Sequence, residues 1–220
     1  MNDPVKLHFG NHESNIRFFE TVCPSSDLQI LEIGCGTGGF LDYLRTEGYN
    51  TAYGIEVDQE RIGDGRPYYE TLKLCLMQGE MLGFRSQSFD VVLSFDVFEH
   101  IPDTDRHLSE VRRVLKPGGA YLFQTPNMLT NIPFEILKEK SLTKWREYHC
   151  SLHSYWGLSK ALSRHAFDFD FYKIPVVTPF FRKKLRRYWG RLGPILLAVI
   201  NPDKFPFPLR TNFYVAARRR

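Results

Sequence analysis

The sequence predicts an α/β protein organised on a parallel sheet, and three observations carry that expectation. An apolar run over residues 28–33 reads as a short buried strand; four glycines within six residues follow it, then a helix-like stretch over 40–47. Short apolar runs at 51–57, 72–77, 89–95 and 120–125 alternate with helical patterns, the clearest at 103–115, where Leu108, Val111, Val114 and Leu115 share one face. Phe167, Phe169 and Phe171 alternate with Asp168 and Asp170 as in a half-buried strand, ahead of a last strand over 211–217.

The chain has 220 residues, below the ~250–300 at which a single core stops growing, so one domain is expected. No stretch approaches the ~20 apolar residues of a membrane span. Met1, Asn2, Asp3 and Pro4 do not start a basic-then-apolar leader. Cys23, Cys35, Cys75 and Cys150 are scattered without a C-x-x-C pair, which makes a reduced, cytoplasmic protein the expectation. The net charge of +4 conceals an asymmetry. Residues 182–191 hold six Arg or Lys and no acid, residues 218–220 are all Arg, and the remainder carries 20 basic against 25 acidic residues. The body is acidic and the positive charge is concentrated late in the chain.

The glycine turn is the centre of the pattern. A strand, a glycine turn and a helix open the nucleotide-binding type of α/β sheet. Glycine lets the backbone turn sharply and lets a ligand come where a Cβ would collide, and the helix N-terminus offers free N–H groups. Gly34, Gly36 and Gly39 match the dinucleotide spacing G-x-G-x-x-G. Glu32, Gly34, Gly36 and Gly38 match the acid-x-G-x-G-x-G pattern of S-adenosylmethionine enzymes. Glu32 separates the two. A buried acid needs a partner; the methionine end of S-adenosylmethionine carries an ammonium group, whereas a dinucleotide offers a pyrophosphate that an acid repels.

Taken in order, Ile16, Phe18 and Phe19 place a helix over residues 12–22. Such a segment can lie over a cofactor, with His8, Phe9 and His12 as weak lid candidates against plain packing. Glu56 ends the second strand, 22 residues after Gly34, where an acid accepts from ribose hydroxyls. Asp58 is read as the cap of the next helix, an irregular one over about 59–70. Glu80, after the third strand, is placed to accept from an adenine amino group. The fourth strand runs into Asp96, Val97, Phe98, Glu99, His100, Ile101 and Pro102, and residues 116–119, Lys-Pro-Gly-Gly, are read as the stop of the following helix.

Residues 32–38, Glu56, the Phe89-Asp90-Val91-Val92 strand, Glu99-His100-Ile101-Pro102 and residues 114–119, in this order and spacing, resemble a class I S-adenosylmethionine-dependent methyltransferase, within it the type 11 group that includes ubiquinone-biosynthesis-like enzymes. The resemblance covers about residues 28–127. It implies a Rossmann-like, seven-stranded, mostly parallel sheet with helices on both faces and the last strand antiparallel. It implies S-adenosyl-L-methionine as cofactor, with Glu32, Gly34, Cys35, Gly36, Gly38, Glu56, Val57, Glu80, Met81 and Phe95 as the candidate binding set. Residues 128–150, after the fifth strand, stand where such enzymes usually contact substrate.

Residues 174–209 form an unusually long connection between the last two strands, which marks it as functional. Thr178 and Pro179 read as the cap and first residue of a helix. Phe181, Leu185, Tyr188, Trp189 and Leu192 fall on one apolar face, and Arg182, Lys183, Lys184, Arg186, Arg187 and Arg191 occupy the rest. Gly193 and Pro194 are read as its stop, followed by six apolar residues over 195–200. Two readings stand: an interfacial helix over residues 178–200 that touches an anionic membrane, or a helix packed on the sheet with a solvated charged face.

His100 is the candidate general base, since imidazole titrates near neutral pH and the residue follows the fourth strand at the ligand edge; Glu99 is its candidate assistant. Glu99, His100 and Asp103 could together hold a divalent cation, and His149, Cys150 and His153 have a zinc-like spacing. Packing or substrate contact is the better reading of both, and no metal is expected. The leading function is methyl transfer to a small-molecule acceptor, O-methylation of an amphipathic or lipid-linked one. The alternatives are an RNA or protein methyltransferase using the basic segment, a non-catalytic S-adenosylmethionine-fold protein, or an NAD reductase. No RNA-binding module and no N-P-P-Y-like exit from the fourth strand is present, so nucleic acid is not the expected partner.

Overall fold

A computed structural model describes residues 11–23, 27–69, 71–191, 193, 195, 197 and 200–220. His8, Phe9 and half of the apolar run at 195–200 lie outside the described residues. Seven strands form one sheet in the order β3-β2-β1-β4-β5-β7-β6: β1 (Ile30–Ile33), β2 (Ala52–Glu56), β3 (Lys73–Leu76), β4 (Phe89–Phe95), β5 (Leu115–Pro126), β6 (Phe167–Tyr172) and β7 (Asn212–Arg219). The first five are parallel, and β7 runs antiparallel to both β5 and β6.

Side-chain alternation along these strands builds two cores. Leu31, Ile33, Val92, Tyr121, Phe123, Phe213 and Val215 pack on α4 (Thr104–Val114) and α7 (Tyr155–Arg164) through Leu108, Val111, Leu158 and Leu162. Ile30, Val91, Leu93, Leu122, Tyr214 and Ala216 pack on α1 (His12–Val22) and α2 (Gly39–Thr46) through Phe18, Phe19, Phe40, Leu41 and Leu44. The central strands are therefore buried on both faces and read as continuous apolar runs.

Local signals in the sequence set the element ends. Asp58 caps α3 (Gln59–Gly65), accepting from the Glu60 N–H at 2.9 Å. Asp103 caps α4, Ser154 caps α7, and Thr178 caps α8 (Pro179–Trp189) by accepting from Phe181 N–H. Two expected stops move. The Lys-Pro-Gly-Gly segment does not end a helix but lies inside β5, because α4 closes at Val114 and Leu115 already pairs with Phe89. The basic helix ends at Trp189, where Gly190 takes φ 55°, rather than at Gly193.

The late positive charge is divided in space. Arg218 pairs with Ala120 near the start of β5, whereas Asn212 pairs with Pro126 at its exit. The six-residue step from one to the other spans about 20 Å of strand. Arg219 donates to the Leu115 carbonyl and Arg220 bridges to Asp168, so this cluster holds the sheet together at the edge opposite the strands' C-terminal ends.

Gly34 leaves β1 with φ 73°, and a Cβ there would lie 2.3 Å from Cγ2 of Val97 on the loop after β4. The glycine lets the two central loops touch. Gly34→Ala is expected to lose at least ~1–2 kcal/mol from the left-handed backbone alone, read by urea denaturation, and Gly34→Ala/Val97→Ala to recover the steric part. Unchanged stability in the single variant would contradict this role.

Candidate active site

The C-terminal ends of β1 and β4 meet at the point where the chain's crossovers reverse direction, the position at which open α/β sheets bind ligands. A cavity of about 830 Å³ opens there. Glu32, Gly34, Cys35, Gly36, Glu56, Val57, Glu80 and Phe95 line it, and His12 and Asn15 of α1 border it. Two members of the expected set stand apart. Gly38 sits at the N-cap of α2 with φ 97°, facing Leu72, and shapes the turn. Met81 points outward, 62% exposed, and does not line the cavity.

Glu32 and Glu56 differ although both are buried. Glu56 is bound by backbone: its carboxylate accepts from the Gly36 N–H at 2.8 Å and the Val57 N–H at 2.8 Å, clamping the glycine turn to β2. Oε2 of Glu32 has no hydrogen-bond partner among the described residues. Burial, and then the charge of Glu56, push the Glu32 carboxyl up to about 8. An unpaired acid facing a cavity is built for a cationic ligand group. The ammonium of S-adenosylmethionine is such a group, and Glu56 and Glu80 line the same cavity.

Behind the cavity, the sequence reading missed a buried chain of polar groups. His107 Nδ1 lies 2.9 Å from the Gly79 carbonyl, its Nε2 2.9 Å from the Tyr121 hydroxyl, and that hydroxyl 2.6 Å from Ser94 Oγ. The carbonyl can only accept, so Nδ1 donates and Nε2 accepts from Tyr121. His107 thereby pins the Gln78–Glu80 segment of the cavity wall, and burial lowers its pKa to about 4.

A second cavity, of about 530 Å³, lies between the β4 exit and the insertion after β5. Its walls come from Glu99, from Asn131, Glu135, Lys138 and Glu139 of α5 (Met128–Glu139), from Tyr148 at the end of α6 (Trp145–Tyr148), from His149, and from Lys184 of α8. Asp96 lines both cavities and is the residue at which they meet. It holds φ 56°, with its N–H donated to Gln124 Oε1 at 2.9 Å. That left-handed backbone, rare for a non-glycine residue, was not legible in the sequence; only its place after β4 was a signal.

His100 lines the first cavity and approaches the second through its neighbours. Its Nδ1 bonds to the Tyr148 carbonyl, which makes Nδ1 the donor and leaves the Nε2 lone pair free, 4.0 Å from Oε1 of Glu99. Glu99 is buried, accepts from Thr125 Oγ1 at 3.0 Å, and is pushed up to about 8 by burial and by Asp96. The zinc-like His149, Cys150 and His153 do not converge: His149 bonds Asn131 and lies 5.1 Å from the His100 ring, whereas His153 packs on Phe98. Glu99, His100 and His149 do place ligand atoms within 4.8 Å of one another, a set different from the one the sequence suggested.

These carboxyls set the pH dependence of stability without ligand. Glu32 and Glu99 hold a proton to about pH 8 when folded but release it near 4.5 when unfolded. Their contribution is complete below about 4.5 and is lost as pH rises to about 8. His107 acts oppositely, between 6.5 and about 4. Between pH 6.5 and 8 only the carboxyls act, so thermal stability is expected to fall across that window. Glu32→Gln is expected to flatten the slope and raise Tm at pH 8, by ~2–4 °C for each ~1 kcal/mol. An identical slope in the variant would contradict the buried, unpaired state of Glu32.

Comparisons with known proteins agree with this geometry. Residues 31–123 match a methyltransferase domain family. A fatty-acid O-methyltransferase of Mycolicibacterium smegmatis is 32% identical over 125 residues, covering 54% of this chain and 46% of that protein. A ubiquinone biosynthesis O-methyltransferase of Sinorhizobium medicae is 26% identical over 150 residues, covering 66% and 58%. The chain thus spans about half the length of the curated relatives it matches. An S-adenosylmethionine-dependent methyltransferase from Mesorhizobium loti has the same fold at 16% identity, with a TM-score of 0.67 over 94% of this chain and 98% of that one. With the glycine turn, the acid before it and the sheet order in place, residues 31–123 are similar to a methyltransferase domain, and the chain has the fold of the S-adenosylmethionine-dependent methyltransferase from Mesorhizobium loti.

Proposed function

We propose that this chain transfers a methyl group to the hydroxyl of a small amphipathic or lipid-linked acceptor, working from the cytoplasmic face of an anionic membrane. The observation that carries the reading is the pair of cavities meeting at Asp96: a donor site on the glycine turn and a separate acceptor site under the insertions. The donor supplies a methyl on a sulfonium, which leaves with its bond electrons remaining on sulfur. The chain must hold the acceptor oxygen in line and keep water away. His100 is oriented by the Tyr148 carbonyl to take the hydroxyl proton on Nε2. Glu99, protonated near neutral pH, can sit beside it without an unpaired charge. The fatty-acid and ubiquinone O-methyltransferase relatives support an amphipathic acceptor and oxygen as the nucleophile.

Membrane contact is supported by α8. Arg182, Lys183, Arg186 and Arg187 are exposed, and no acid stands on the helix. Phe180, 48% exposed, shares a face with Lys183 and Arg187 by helical spacing. Trp189, on the apolar face of the helix, is half-buried. No helix among the described residues is long and apolar enough to cross a membrane. A nucleic-acid footprint is less well supported, because the two basic clusters stand at opposite sheet edges.

Two outcomes are expected. His100→Ala lowers turnover by about 10²–10⁴-fold and leaves S-adenosylhomocysteine affinity, by calorimetry, unchanged; near-normal turnover would remove the base role. The protein sediments with phosphatidylglycerol liposomes at low salt, each outward cation contributing on the order of 1 kcal/mol. Changing Arg182, Lys183, Arg186 and Arg187 to Glu, or raising salt, releases it. Indifference of the wild type to these liposomes would remove the membrane reading.

A further inference from the structure

The helix that walls the second cavity is built inside out. α5 has one buried residue, and it is an acid, Glu135. Asn131, Lys138 and Glu139 share the cavity side of the helix with it. The charges of that side close on one another: Lys138 bridges Glu135 at 2.8 Å and Glu139 at 3.2 Å, and Glu139 also takes Lys144 at 2.8 Å. On the opposite side Leu129, Pro133 and Leu137 recur at every fourth position and are exposed, the two leucines by 43% and 65%. Ile132 and Ile136, half-buried, widen this stripe by helical spacing, and Leu142, just past the helix, is 76% exposed.

A surface helix normally turns its apolar stripe to the core and its charges to water. α5 does the reverse. A lone exposed leucine is ordinary, but a continuous apolar stripe is a contact surface. The charge around the stripe indicates what covers it. α8 lies beside α5, since Tyr188 meets the Phe134 ring edge-on at 6.2 Å and the Lys184 ammonium lies 5.8 Å from the centroid of that ring. Arg182, Lys183, Lys184, Arg186 and Arg187 of α8 are exposed, as is Lys140 at the end of α5. Glu147 is the one exposed acid within residues 128–150. An apolar stripe edged by cations matches an anionic phospholipid surface, where the leucines meet the acyl boundary and the cations meet the head groups. A second copy of the chain on the same stripe would set two basic helices together, and like charges there repel.

We propose that α5 is the element that enters an anionic phospholipid surface, its outer stripe of Leu129, Pro133, Leu137 and Leu142 lying at the acyl boundary while its inner side walls the acceptor cavity. This rests on the reading of membrane contact, which α8 supports through charge, and it adds the apolar burial that charge does not provide. One helix then stands between the bilayer and the cavity.

The test is sedimentation of the full chain with phosphatidylglycerol vesicles at low salt. Leu129→Gln/Leu137→Gln/Leu142→Gln is expected to weaken the partition at least about tenfold and to leave the salt dependence of the residual binding unchanged, because every cation is kept. Leu142→Gln alone, outside the helix, is expected to lose at least about threefold. Leu76→Gln, 58% exposed on the edge strand β3, is expected to stay within about twofold of the wild type. The three leucines are exposed, so the triple variant is expected to keep its Tm and its calorimetric affinity for S-adenosylhomocysteine. Wild-type partition by the triple variant, or an equal loss in Leu76→Gln, would overturn the α5 assignment and leave the charge-driven contact of α8 standing. A chain that is dimeric by ultracentrifugation and made monomeric by the triple variant would also overturn it, by giving the stripe to a second copy. Indifference of the wild type to the vesicles would overturn the membrane reading itself, and the α5 assignment with it.

Discussion

A carboxyl group buried at the end of the central strand, with one oxygen unpaired, is the constraint on which the site depends. Glu32 occupies the strand between β2 and β4, where both faces of the sheet are covered and solvent cannot reach its Oε2. Leaving a polar group in that state costs free energy that a fold tolerates at a functional site. The surroundings are arranged around it. Gly34 lets the turn pass against Val97, Glu56 ties the Gly36 N–H to β2, and His107 fixes the wall at Gly79. Each contact holds a piece of backbone at one distance from the Glu32 carboxyl, so the cavity is shaped before any ligand enters.

The parallel half of the sheet was legible because its signals are local. An apolar run, a glycine turn, an acid at the next strand end and capping residues such as Asp58, Ser154 and Thr178 act within a few residues of one another. The phenylalanine alternation in β6 was legible for the same reason. The segment at 116–119 was not, because strand pairing between β4 and β5 overrides the helix-stop character of its proline and glycines. The second cavity was hardest to read. Asn131, Glu135, Lys138, Tyr148, His149 and Lys184 come from three separate helices and a loop, and nothing in their spacing announces that they share a wall. Asp96 is the instructive case: it is the hinge between the two cavities, yet its role depends on a positive φ and on Gln124, 28 residues away.

The late run of basic residues shows how far a one-dimensional charge count goes. As sequence it is two stretches late in the chain. In space it divides: Arg219 and Arg220 tie the far edge of the sheet, the cations of α8 and Arg191 are exposed, and among them Lys184 also lines the second cavity. The packing of Phe134 against Lys184 and Tyr188 makes the last separation, a tertiary contact between two insertions rather than a helical period. An amphipathic pattern alone reports only that one face differs from the other.

The central claim is that the Glu32 carboxyl holds a proton in the empty protein and gives it up to pair with the ammonium of the bound cofactor. Calorimetric titration of S-adenosylhomocysteine near pH 7, repeated in buffers of different ionisation enthalpy, counts that proton directly. With the carboxyl at about 8 before binding, the account predicts release of roughly one proton per site by the wild type and none by Glu32→Gln. Binding with no proton release, or equal release by both proteins, would contradict it.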